Sequence, residues 1–192
     1  GRNFIVNGFP RGRPVMRMDR DRDNKRILWI TRAGALLALT LAFQMLGFPQ
    51  PVTGPAVNAM LFLSTLSVGA PAAVAIGVLT PLVAYVRGIL PPPLAPAIPF
   101  IMLGNALMAA TFRFINGRDT GERGAIKETR GAGARDPARR AVAILCASIL
   151  KFLVLSAAVR YIISVPPKVS VALQTPQLFT ALAGGGIAWV VW

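Results

Sequence analysis

Long apolar runs separated by short, breaker-rich connections set the pattern of this chain. A membrane-spanning helix needs about 20 mostly apolar residues. The first run of that kind is Ile27–Phe48, closed by Pro49-Gln-Pro-Val-Thr-Gly-Pro55. Ala56–Leu90 is too long for one span and carries Gly69-Ala70-Pro71 in its middle, which predicts a tight helical hairpin. Proline lacks the amide hydrogen and clashes with the preceding turn, so Pro91-Pro-Pro-Leu-Ala-Pro96 ends the third helix. Ala97–Ile115, Ala141–Ile163 and Pro176–Trp192 follow as the fourth, fifth and sixth spans. The second and sixth are short. The predicted fold is an all-α integral membrane protein, a six-transmembrane-helix bundle over 27–192 behind a basic, disordered arm over 1–26.

Composition fits that reading. Hydrophobic residues make up 54% of the 192, and only 15% are charged, against about a quarter in soluble domains. The 21 Lys and Arg outnumber the 7 Asp and Glu, giving +14. A soluble nucleic-acid binder can carry that surplus but not this series of apolar runs, so no nucleic acid is expected as a partner. From Gly1 to Arg32 nine basic and three acidic residues leave +6; from Arg113 to Arg140 eight and four leave +4. Arg87, Lys151, Arg160 and Lys168 are isolated, and no acidic residue lies outside the two blocks.

Four predicted crossings separate the blocks, which places them on one side. Lys and Arg accumulate on the cytoplasmic side of short connections. Both termini and the basic loop 116–140 are therefore expected to be cytoplasmic, in a multi-pass protein of a bacterial-type inner (plasma) membrane. Anionic lipids are the expected contacts of the basic segments, at about 1 kcal/mol per Lys or Arg near the surface. The N-terminus does not read as a signal peptide, because its first apolar run is a full span without a small-residue cleavage site. Residues 1–15 are expected to be disordered. The sixth run stops at Trp192, either an interfacial residue type or the edge of a longer sequence.

Candidate chemistry is narrowed by what is missing. The chain has no His, which removes His-based zinc and haem sites, Ser-His and Cys-His catalysis and His proton relays. Cys146 is the one cysteine, too few for a disulfide or a Cys-rich metal site. No phosphate-cradling Gly-x4-Gly-Lys-Ser/Thr pattern occurs. Gly131-Ala-Gly133 lies in the basic loop and Gly184-Gly-Gly186 in an apolar helix, and neither reads as a nucleotide site. No metal and no cofactor are expected. With no Asp or Glu in any span, a carboxylate relay for protons or a charged sodium site is also missing. An outward pocket would be neutral or positive and would favour a neutral or anionic solute.

Lys151 is the sharpest single residue, eleventh of 23 in the fifth predicted span. A cation at mid-depth costs about 3 kcal/mol on insertion scales, so it faces a cavity or a polar partner, unless it snorkels along the bundle surface. Ser148 shares its face, and Asn105 lies near mid-depth in the fourth span. Arg160 is nine residues further, about 14 Å along the axis and half a turn round, so it cannot share a pocket with Lys151. Gln50, Thr53 and Asn58 bring polar groups to the outer face, as ligand contacts or as an ordinary solvated turn. Arg87, near the outer interface, fits binding and snorkelling equally. Gly34, Ala38 and Ala42, spaced four apart in the first span, allow close helix approach, to a partner or within the bundle.

These features together resemble the substrate-binding (S) components of energy-coupling factor (ECF) vitamin transporters, from about Ile30 to Trp192. The resemblance rests on the six-helix layout with a basic loop between helices four and five and on the Gly34-x3-Ala38-x3-Ala42 stripe. It rests also on the run from Pro51-Val-Thr-Gly-Pro through Leu79-Thr-Pro-Leu to Arg87-Gly-Ile-Leu-Pro-Pro-Pro. Ala38-x3-Ala42 matches the family's Ala-x3-Ala motif in helix one; Gly34 departs from it. The resemblance implies a subunit without its own ATPase site. It would capture a micronutrient at the outer face, dock through helix one on a transmembrane coupling subunit driven by two ATPase subunits, and topple to release solute. It implies no binding residues, which differ widely between members. The alternative is a membrane anchor or scaffold for a cytoplasmic enzyme complex; a membrane enzyme lacks a plausible acid–base pair.

Overall fold

The computed structural model describes residues 15–117 and 137–192. Over these the chain is all-helical, with no strand. The helices are α1 (Val15–Met45), α2 (Gln50–Ser67), α3 (Ala70–Val86), α4 (Ile98–Asn116), α5 (Pro137–Tyr161), α6 (Pro167–Ala172) and α7 (Thr175–Val191); a 3-10 turn, Pro92–Ala97, precedes α4. Residues 1–14 of the predicted arm and 118–136 of the predicted basic loop lie outside the described residues.

Among the described residues, three segments are long and apolar enough to cross a membrane: Arg22–Met45, Pro92–Asn116 and Pro137–Tyr161. Helices α3 and α7 have 17 residues each and α2 has 18. At 1.5 Å per residue they reach about 26 Å, short of a hydrocarbon core of about 30 Å. By length and composition, then, three of the described helices are able to cross a membrane.

The boundaries differ from expectation in three places. First, α1 begins at Val15 and carries the helix back through the basic stretch. Its alternating acids and bases fall at i, i+3 and i+4 (Asp21 and Lys25; Asp23 and Arg26), a spacing that favours helix. Second, α2 begins at Gln50, six residues before the expected Ala56, with Pro51 in its first turn. Amides there have no intrahelical partner, so proline costs nothing. Third, the connection expected over 164–175 contains α6. The α2–α3 break falls at Gly69, within the expected Gly69-Ala70-Pro71 turn, and its φ of +118° disfavours any side chain.

Helices α2, α7, α5, α4 and α3 pack in that order into a closed ring, since α2 also packs on α3; α1 lies outside it, against α2 and α3. One half of the ring is filled by an apolar core of Leu61, Phe62, Ile76, Met108, Phe112 and Ile144, with Leu36 and Leu37 of α1 against it. Phe62 and Phe112 meet edge to face with ring centroids 4.8 Å apart, the geometry the aromatic quadrupole favours. This half is sealed. The other half, toward the α1–α2, α3–α4 and α5–α7 connections, is open.

Candidate functional site

The open half holds a cavity of about 440 Å³, within the size range of small-molecule sites. Its walls are mainly apolar: Phe48, Val57, Pro81, Ile89, Leu94 and Ile101 among others. Gln50 and Pro91 are exposed at its mouth, while Asn58, Asn105 and Lys151 are almost completely buried. Five sequence-predicted residues thus meet here from three helices: Gln50, Thr53 and Asn58 (α2), Asn105 (α4) and Lys151 (α5).

Each buried polar residue is admitted by a glycine on the facing helix. A Cβ on Gly184 (α7) would stand 2.6 Å from Asn58 Cβ and 2.7 Å from the Pro55 carbonyl oxygen. A Cβ on Gly77 (α3) would stand 2.8 Å from Asn105 Cβ, and one on Gly104 (α4) 3.3 Å from Lys151 Cγ. Small residues at helix crossings let backbones approach closely and leave volume for a polar side chain. Gly184 lies in the Gly-Gly-Gly run of α7 and packs closely against α2.

Lys151 Nζ donates to Asn58 Oδ1 at 2.6 Å, and Asn58 Nδ2 donates to Thr180 Oγ1 at 3.4 Å. Thr180 Oγ1 in turn donates to the Gln177 carbonyl at 3.1 Å. This chain of bonds ties α5 to α2 and α2 to α7 beside the cavity. Among the described residues the ammonium's partner is a neutral amide, which supplies no opposite charge.

Asn105 has a separate task. Pro81 interrupts α3, and a proline at that position deprives the carbonyl four residues earlier, Gly77, of its helical donor. Asn105 Nδ2 donates to Gly77 O at 2.9 Å and replaces the missing bond. Because that carbonyl can only accept, the amide orientation is determined, and Asn105 Oδ1 is left buried without a partner.

Other predicted residues fall elsewhere. Ser148 is fully buried one turn from Lys151, its Oγ unpartnered, and it does not line the cavity. Arg87 caps the C-terminus of α3, is exposed, and is likewise not part of the lining. Gly34, Ala38 and Ala42 are all exposed on the outer side of α1, and a Cβ at Gly34 would meet nothing within 4 Å. The stripe is therefore not consumed by packing among the described residues. The sequence reading did not single out Gln44, Thr80 and Gln177 of the lining, or Thr180 beside it. Thr80 follows Gly77 by one turn and Thr180 precedes Gly184 by one turn, so glycines marking close crossings were the available signal.

The fold and cavity together define an all-helical chain, three of whose described helices are able to cross a membrane, with a small, mostly apolar pocket whose one charged lining residue among those described is Lys151. No family model, curated protein or solved structure matches the chain.

Proposed function

We propose that the chain is the solute-capture subunit of an ATP-driven micronutrient importer of the ECF type. In this reading it binds a small neutral or anionic solute from the outer face, with Lys151 as the positive group in its pocket. The observation that carries it is the cavity, which opens at one end of the ring and gathers Asn58, Asn105 and Lys151 at its buried end. A pocket with a few convergent polar groups in apolar walls is the ordinary form of a small-molecule site.

The proposal takes the six longer helices as six crossings of a bacterial-type plasma membrane, the short ones α2, α3 and α7 completing the ring. The basic segments then face the cytoplasm and the cavity faces out. With no acidic residue from 24 to 118 or after 136, the chain has no carboxylate of its own to couple transport to protons or sodium. The energy comes from a partner: a coupling subunit with two ATPase subunits. Helix α1, peripheral and with Gly34, Ala38 and Ala42 exposed, offers the docking surface.

Co-expression with an ECF coupling subunit and its ATPases tests the reading. A stoichiometric complex is expected, lost on Ala38→Trp while solute binding persists. A monodisperse protein that ignores the module in both forms overturns the importer assignment in favour of a solitary or scaffold role.

A further inference from the structure

Among the described residues Lys151 is the one charged side chain lining the cavity, and no carboxylate lines it. All seven acidic residues lie within 19–23 and 119–136. Asp23 is 21 residues before Gln44, the α1 residue at the cavity, or about 32 Å along the helix. The other acidic block, 119–136, lies outside the described residues; the helix that follows it, α5, begins at Pro137, 14 residues and about 21 Å before Lys151. An ammonium taken out of water without an opposite charge carries a penalty of several kcal/mol. A ligand bearing one negative charge at Nζ would relieve it.

A doubly charged group has no such fit. The other isolated cations, Arg87, Arg160 and Lys168, are exposed and absent from the lining. Backbone amides at a helix start are the usual second source of donors for phosphate, and α2 does begin at the cavity mouth. There, however, residue 51 is proline, and the Val52 and Thr53 amides already donate to the Pro49 carbonyl at 2.9 and 3.0 Å. The remaining walls are mainly apolar, and their polar side chains, Gln44, Thr80 and Gln177 among them, are neutral. At about 30 Å³ per water-sized unit, the cavity of about 440 Å³ suits a body of about 15 non-hydrogen atoms.

We propose that the cavity selects small monocarboxylates with an apolar body, the carboxylate meeting Lys151 Nζ, and rejects neutral amides and phosphate monoesters of the same body. The inference rests on the capture reading and narrows its solute.

The probes are carboxylic acids of about 15 non-hydrogen atoms, each compared with its primary amide and its phosphate monoester. Equilibrium binding and thermal stabilisation are measured on the purified full chain in detergent. Acids are expected to bind at least ~30-fold more tightly than either analogue, the scale of a lost buried charge pair. Asn58→Asp places a carboxylate where Oδ1 now stands, 2.6 Å from Nζ. It should preserve or raise thermal stability while weakening acid binding by ~30-fold or more, a split that a merely structural Asn58 would not give. Lys151→Met should abolish the preference for acid over amide, and it serves the same purpose if the Asp variant fails to fold. Amides or phosphate esters binding as tightly as acids, or acid affinity unchanged in Asn58→Asp, would overturn the monocarboxylate assignment. If no class binds at all, the capture reading itself falls.

Discussion

The bond from Asn105 to the Gly77 carbonyl permits a test of the local physics that holds the site. Asn105→Leu keeps the branching of the side chain and removes the donor. Gly77 O, already deprived of a helical partner by Pro81, then has none. An interhelical side-chain hydrogen bond in a membrane protein averages about 0.6 kcal/mol and reaches about 1.7, and an orphaned buried carbonyl costs about 1–3 kcal/mol. The single substitution also removes the unpartnered Asn105 Oδ1, a gain that masks part of the loss. A double-mutant cycle separates the two effects. Pro81→Ala supplies the amide hydrogen that α3 lacks, so Asn105→Leu should cost about 1–2 kcal/mol less in the Pro81→Ala background than alone. Reversible unfolding in mixed micelles, followed by helical circular dichroism, measures all four corners. A coupling indistinguishable from zero refutes the account of Asn105 as the replacement donor.

Further expectations concern the helix crossings and the ends. Gly184→Ala sets a methyl 2.6 Å from Asn58 Cβ, so α2 and α7 must separate; a loss of about 1–3 kcal/mol is expected in the same unfolding assay, together with weaker ligand binding. Gly69→Ala forces a side chain onto φ +118° and should destabilise the α2–α3 hairpin by about 1–3 kcal/mol without altering affinity at the cavity. Arg87→Ala, at an exposed helix end outside the lining, should leave binding within about twofold and stability within about 0.5 kcal/mol; a large loss would place Arg87 in the site.

The elements were legible because their causes are local. Apolar runs of span length, Gly69 between α2 and α3, and the proline cluster after Arg87 each act over a few residues, through desolvation or through backbone geometry. The early starts of α1 and α2 had local causes as well, in i, i+4 charge spacing and in proline at a helix N-terminus. Lys151 and Asn105 stood out because polar groups at mid-span need a partner wherever the chain goes.

Which partner each found was not local. Asn58, 93 residues before Lys151, receives its hydrogen bond only because α2 and α5 line the same end of the ring. Asn105 is held by a carbonyl on α3 that Pro81 exposes, through a gap that Gly77 leaves. Ser148, one turn from Lys151 on the same helix, is turned away from the cavity, and Arg87 sits at a helix end in the open. Sequence alone determined most of the helices, the uneven charge and the confinement of every acid to 19–23 and 119–136. Tertiary packing decided the ring order, the exposure of the Gly34–Ala42 stripe and the cavity itself, because voids and charge environments arise where distant segments close on one another.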